Sequence, residues 1–273
     1  MSYGNRELSH NPNECRILAK VILLARRCKE YMRKIFRLDN DFVESVREFK
    51  KIDMLLALLL CFSLVFFGFW LHGHGIHHEW LLGLISDLSE SSRLLVSALF
   101  SATVIGLVFL ICKIRKQKVF TVGLNKHQAK KSLIAGLVFG SIHVLLRVAL
   151  GRTEFSFRDD LSVDTLIFNA IYHLVFVAFM EELLLRGYTA SRLFGSLKNK
   201  VFAIILGGFI TAMLHVPSDA AMPDVGAFQI LANRFIGDTL LHGAFFWLYA
   251  KYNNLLGPIL WHFMLNFVWF ITV

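Results

Sequence analysis

The sequence predicts an all-α fold, a polytopic transmembrane bundle of about seven helices. Three observations lead there. The chain has 273 residues, 56% of them hydrophobic, with a mean hydropathy of +0.56. Ordinary soluble domains are roughly 45–50% apolar even with glycine included. The apolar residues gather in runs of about 20, the length a helix needs to cross hydrocarbon. Lys and Arg collect between those runs and not on one soluble face, so a net charge of +9 points to loops beside a lipid bilayer and not to nucleic acid.

The elements follow in order. Residues 1–51 form a polar, cytoplasmic N-terminal segment that does not read as a cleavable signal peptide. Within it, "RILAKVILLARRCKEYMRKIFRL" at 16–38 mixes aliphatic residues with cations, as a basic amphipathic helix on an anionic leaflet does. Residues 52–273 are the transmembrane bundle. Its apolar runs lie near 53–72, 94–112, 132–150, 165–185, 200–216, 228–249 and 256–273. The fifth is short and is expected to stop at Pro217. The segment 80–91 is too short and charged to cross. With 4 prolines, no repeat and no low-complexity stretch, one helical unit is expected. Cys15, Cys28, Cys61 and Cys112 have neither a zinc spacing nor a disulfide framework.

Orientation follows from the cations. They crowd the N-terminal segment, then residues 113–131, and recur at Arg186, Arg192, Lys198 and Lys200, whereas 73–92 and 217–227 have none. The N-terminus is therefore expected in the cytoplasm of a multi-pass membrane protein, in the plasma or inner membrane if the source is bacterial.

Charges inside apolar runs need a reason, because an ionisable side chain at a helix centre costs roughly 2.5–3.5 kcal/mol in hydrocarbon. "AFMEELLLRG" at 178–187 holds three. Glu182 and Arg186 are four apart and can neutralise each other. Glu181, about 100° away around the helix, lacks that partner and suits a general base. His215 ends the fifth run, and His262 lies in the seventh with Asn266 one turn on. If the fourth helix continues past Arg186 to Gly195, Glu181 stands roughly 21 Å above that turn and His215 roughly 25 Å above Lys198 at 1.5 Å per residue, so one site is geometrically allowed. Arg234, Asp238 and His242 make an i, i+4, i+8 line that reads first as a buried ion-pair spine and second as a substrate-path lining. His143, Arg147 and His173 read as cavity or interfacial residues. His72, His74, His77 and His78 read as solvated loop histidines, with metal binding the minority reading. No HExxH or GxSxG element is present, and "FIGD" at 235–238 has no matching second Asp on another span.

"EELLLR", "HVP" after an apolar helix, and "HFMLN" together resemble the CPBP family of intramembrane proteases, also called the CAAX-protease or Abi family. The resemblance covers about 165–270. Two departures stand out: Thr211 occupies the place of the phenylalanine expected four residues before His215, and Gly243 with Trp247 replaces a glycine pair ahead of the last motif. The resemblance implies an endopeptidase acting on a membrane-associated peptide or protein substrate. Glu181 and His215 would activate water, His262 and Asn266 would hold the oxyanion, and Glu182 and Arg186 would support the helix. It leaves metal dependence open. Either no cofactor is required, which is the favoured reading, or Glu181, His215 and His262 hold a zinc ion. The rival function is a non-catalytic membrane scaffold or peptide-immunity protein on the same fold. A transporter would show repeated halves or paired broken helices, and neither is seen.

Overall fold

The computed structural model describes residues 30, 34, 37–73, 90–151, 156, 161–219 and 226–272, without the side chains of 69–73, 90–93, 218, 219 and 227. Its contacts separate two units, Met1–Arg37 and Leu38–Val273. In the first, Lys34 Nζ lies 3.9 Å from Glu30 Oε1, one helical turn away, with both side chains exposed. The remainder of the basic segment, Cys15 and Cys28 lie outside the described residues, as do the side chains of the histidine cluster at 72–78.

The second unit is a helical bundle with no strand among the described residues. α1 (Asn40–Arg47) starts at Asp39, whose carboxylate accepts from Phe42 N at 3.1 Å. This satisfies one of the free N–H groups of a first helical turn. Then follow α2 (Lys51–Gly73), α3 (Glu90–Ile114), α4 (Ala129–Ala149), α5 (Val163–Ser196), α6 (Lys200–Asp219), α7 (Ala227–Tyr252) and α8 (Leu256–Ile271).

All seven apolar runs are thus helical. Stretches of α2 to α6 are long and apolar enough to cross a membrane. α7 has 26 residues but carries Arg234 and Asp238, and α8 has only 16 residues. α6 does not stop at Pro217; it remains helical to Asp219 with the proline inside it. Large apolar side chains such as Phe66, Leu99, Leu145 and Leu240 stand exposed, as they do where the solvent is lipid.

α5 is the central element, and its winding is unusual. Two wide, π-type stretches, Tyr172–Phe179 and Leu183–Ala190, flank a single α turn at Met180–Glu182. Such winding leaves backbone carbonyls in need of donors, and side chains supply them. Ser101 on α3 donates to the Phe176 carbonyl at 2.9 Å. Ser191 donates to Gly187 O, and Arg192 Nη1 donates to the same oxygen at 2.9 Å. Every residue from Leu183 to Ala190 is buried.

Three of the four cations that recur between the fourth and fifth apolar runs are therefore helical. Arg186 is buried in α5, Arg192 is fully buried near its end, and Lys200 opens α6, which leaves Lys198 alone between the two helices. Arg192 lies between the rings of Phe49 (4.3 Å) and Tyr188 (4.4 Å) and donates to Gln117 Oε1 at 2.7 Å.

The position of α8 is set by small residues. A Cβ added to Gly136 on α4 would lie 2.3 Å from Gly257 O, and one on Gly257 would lie 2.4 Å from Ser132 O. Ser132 Oγ accepts from Gly257 N at 2.9 Å and donates to Asn254 O at 3.1 Å. Asn254 donates to the Asn125 carbonyl at 2.7 Å and accepts from Leu256 N at 2.9 Å. Close backbone approach joined by short polar side chains is how helices associate in lipid. Pro258 falls in the first turn of α8, where a missing N–H costs no helical bond.

Candidate active site

The α turn of α5 presents adjacent carboxylates towards α8. Glu182, 0% exposed, is held from two sides: its Oε1 accepts from Arg186 Nη1 at 2.9 Å and from His262 Nδ1 at 2.8 Å. A carboxylate oxygen only accepts, so Nδ1 of His262 carries the proton. Its other nitrogen, Nε2, lies 3.8 Å from Glu181 Oε2. That is beyond direct hydrogen-bond reach, yet close enough for both groups to touch one small group.

The side chains of Glu181 and His262 are 25% and 13% exposed, so the pair is accessible while Glu182 is sealed beneath it. Phe245 floors the cluster. Its ring is 4.8 Å from the Arg186 guanidinium and stacks on His262 at 5.7 Å.

Glu181, Glu182, Arg186 and His262 thus form one contact cluster, and Asn266 lies one turn past His262 on α8, half-buried. The sequence reading gave Glu182 to Arg186 alone and left Glu181 without a partner. In the structure Glu182 also orients the imidazole, and that imidazole faces Glu181. Spacing along α5 could show the i, i+4 pair, but not a contact that depends on where α8 packs. Phe245 carried no signal in the sequence, being one phenylalanine among 26.

His215 sits on α6, its Nδ1 2.8 Å from the carbonyl of Thr211. A carbonyl only accepts, so Nδ1 is protonated and the basic lone pair of the neutral ring is on Nε2.

The line on α7 divides. Arg234 pairs with Asp238 at 3.8 Å, both partly exposed. His242, 1% exposed, bonds across to Thr211 Oγ1 at 3.0 Å. The ring of His173 is 5.9 Å from that of Phe270, and that of His143 meets Trp261 edge-on at 6.1 Å.

A zinc ion takes its nitrogen and oxygen donors at roughly 2.0–2.2 Å, which draws three ligand atoms into mutual contact. Glu181, His215 and His262 do not bring three such atoms within 4.8 Å of one another, so the set does not fit one ion as it stands. Asp39, Asp41 and His127 do meet that spacing. Asp39 is otherwise engaged there, capping α1 and accepting from Gln128 Nε2 at 2.7 Å. A cavity of about 600 Å³ opens beside these residues, lined by α1, the start of α2 and the segment 115–127; none of the cluster residues lines it.

A family model described as "Type II CAAX prenyl endopeptidase Rce1-like" matches residues 163–268. Comparison with curated proteins and with solved structures gave no match. The matched segment begins at the first residue of α5 and ends two residues past Asn266, so it contains every member of the cluster. The core of this helical membrane protein, residues 163–268, is thus similar to the Rce1-like proteases of the CPBP, or CAAX-protease, family.

Proposed function

We propose that the chain is an intramembrane endopeptidase that hydrolyses a peptide bond of a membrane-associated peptide or protein. The observation that carries the reading is the arrangement around His262: a buried carboxylate on one ring nitrogen and an accessible carboxylate, Glu181, facing the other.

Glu181, assisted by His215 through Nε2, takes a proton from water as the water oxygen bonds to the peptide carbonyl carbon. General-base catalysis of this kind contributes roughly 10²–10⁴-fold. The oxyanion that forms is met by His262 and Asn266. For His262 to donate there, Nε2 must carry a proton while Nδ1–H stays on Glu182, so the ring acts as imidazolium. One such donor contributes roughly 2.7–4 kcal/mol. The C–N bond then breaks, and the proton taken from water passes to the leaving nitrogen, giving one carboxyl and one amino product.

Arg186 neutralises Glu182, so the carboxylate can hold the imidazole at a depth where a lone charge is costly. The mechanism needs no metal ion, in keeping with the spacing of the three residues that would bind one. Excess cations before α2 and after α3 favour a cytoplasmic N-terminus.

The test is cleavage of a membrane-anchored peptide library by the purified protein, with a prenylated CAAX peptide as one member. Wild type should cleave and Glu181→Gln should not. If neither cleaves any member, the scaffold reading takes over these residues.

A further inference from the structure

Two features of the sequence stand outside the cluster: Thr211, which replaces the phenylalanine of the family pattern, and His242, a buried histidine on α7. The structure joins them. Thr211 Oγ1 donates to the Gly207 carbonyl at 3.0 Å within α6 and lies 3.0 Å from His242 Nδ1. A hydroxyl has one proton to give. With that proton on Gly207 O, the bond to His242 runs the other way, from Nδ1–H to Oγ1.

The remaining nitrogen, Nε2, lies against Gly207 and has no hydrogen-bond partner among the described residues. A Cβ at position 207 would stand 2.3 Å from it. Gly207, Thr211 and His242 therefore interlock, with a small residue making room for a ring and a hydroxyl receiving it. Next to them, the Thr211 carbonyl accepts from His215 Nδ1 at 2.8 Å. The same threonine thus carries α7 on its side chain and the His215 ring on its backbone.

We propose that His242 is a positioning residue for His215, acting through Thr211. By fixing the Thr211 side chain against α7, it fixes the turn of α6 whose carbonyl holds Nδ1–H of His215, and so keeps the basic nitrogen of that ring on Nε2 and aimed in one direction. The polar bridge does the work that an aromatic side chain at 211 would do by filling space, and it excludes that side chain, because the His242 ring occupies its place. The role rests on the catalytic reading of His215, but the geometry can be tested apart from catalysis.

Thr211→Val keeps the shape and the backbone carbonyl and removes the hydroxyl, whereas Thr211→Ser keeps the hydroxyl. The ring nitrogens of ¹⁵N-histidine-labelled protein report which nitrogen of each imidazole is protonated. Wild type should show His215 and His242 protonated on Nδ1. Thr211→Val should lose both signatures, and Thr211→Ser should restore them. In cleavage of a membrane-anchored peptide, Thr211→Val should lower kcat with little change in KM, by up to about 10²-fold as for a 1 Å misplacement, and Thr211→Ser should recover it.

Thr211→Phe should fail to accumulate, and the double variant Thr211→Phe with His242→Ala should accumulate again. A Thr211→Val protein that melts lower but keeps the His215 ring signature and wild-type kcat would overturn the proposal and make the bridge purely structural. If wild type cleaves nothing, the protease reading fails, while the ring signatures still decide whether His242 sets His215.

Discussion

Arg186 and Arg192 stand six residues apart on the same helix, both buried, and they are held by different kinds of chemistry. Among the described residues Arg192 forms no ion pair or hydrogen bond with a carboxylate. It donates to the Gly187 carbonyl, the Ser191 hydroxyl and the Gln117 amide, and it lies between two aromatic rings. None of these neutral partners exchanges a proton readily near neutral pH. Arg186 meets a carboxylate that also holds an imidazole, and that imidazole faces a second carboxylate. Burial of charge alone therefore does not separate a structural arginine from one in the proposed active centre, since both side chains are sealed. The distinction lies in whether the surrounding groups can gain and lose protons, and in whether one of them, here Glu181, is open to a substrate.

Replacing the partners of each arginine sharpens that contrast. The largest effect is expected for Glu182→Leu, which strands Arg186 and frees the His262 ring. Breaking a buried pair costs roughly 3–5 kcal/mol, so the variant should accumulate poorly, and whatever protein survives should have lost cleavage as well. Melting temperature and cleavage per folded molecule, measured together, distinguish this from a purely structural loss.

Arg192→Met should destabilise by about 2–3 kcal/mol, the scale of hydrogen bonds to a charged group. Cleavage per folded molecule should stay close to wild type. Activity that vanishes while the protein remains folded would erase the distinction between the two arginines.

Gly257→Ala comes next. The added methyl meets the Ser132 carbonyl at 2.4 Å, so α4 and α8 must separate, at about 1–3 kcal/mol for overpacking. Because α8 carries His262, KM and kcat should both shift. The smallest expected effect is that of exhaustive chelation, which should leave cleavage unchanged; loss with rescue by zinc would move Glu181, His215 and His262 to ligand roles.

Much of this was legible in the sequence. Hydropathy located α2 to α8 because each is a largely apolar run, and α5 does continue through Arg186 as far as Ser196. The Glu182–Arg186 contact followed from a spacing of four. What stayed hidden depends on contacts between helices. That His262 lies against Glu182 depends on the Gly136–Gly257 approach, and two glycines 121 positions apart give no local signal of it. The π winding of α5 shows in no periodicity, and the donors that satisfy its carbonyls, Ser101, Ser191 and Arg192, lie just beyond the wound stretch or on another helix. Pro217 suggested a helix end because proline cannot donate within a helix. It stands near the last turn of α6, where Gly68 of α2 packs against its ring, and the helix continues two residues past it.

The central claim is that Glu181 is a base and that its neighbour Glu182 is a holder. Glu181→Gln preserves the shape and the hydrogen bonding of the side chain and removes only the basic carboxylate. The direct measurement is the cleavage rate of a membrane-anchored peptide by wild type and Glu181→Gln, purified side by side with melting temperature recorded for each. The expected result is an unchanged melting temperature with cleavage lowered by at least about 10²-fold, the lower bound for losing a general base. A Glu181→Gln protein that cleaves at a rate near wild type would contradict the account.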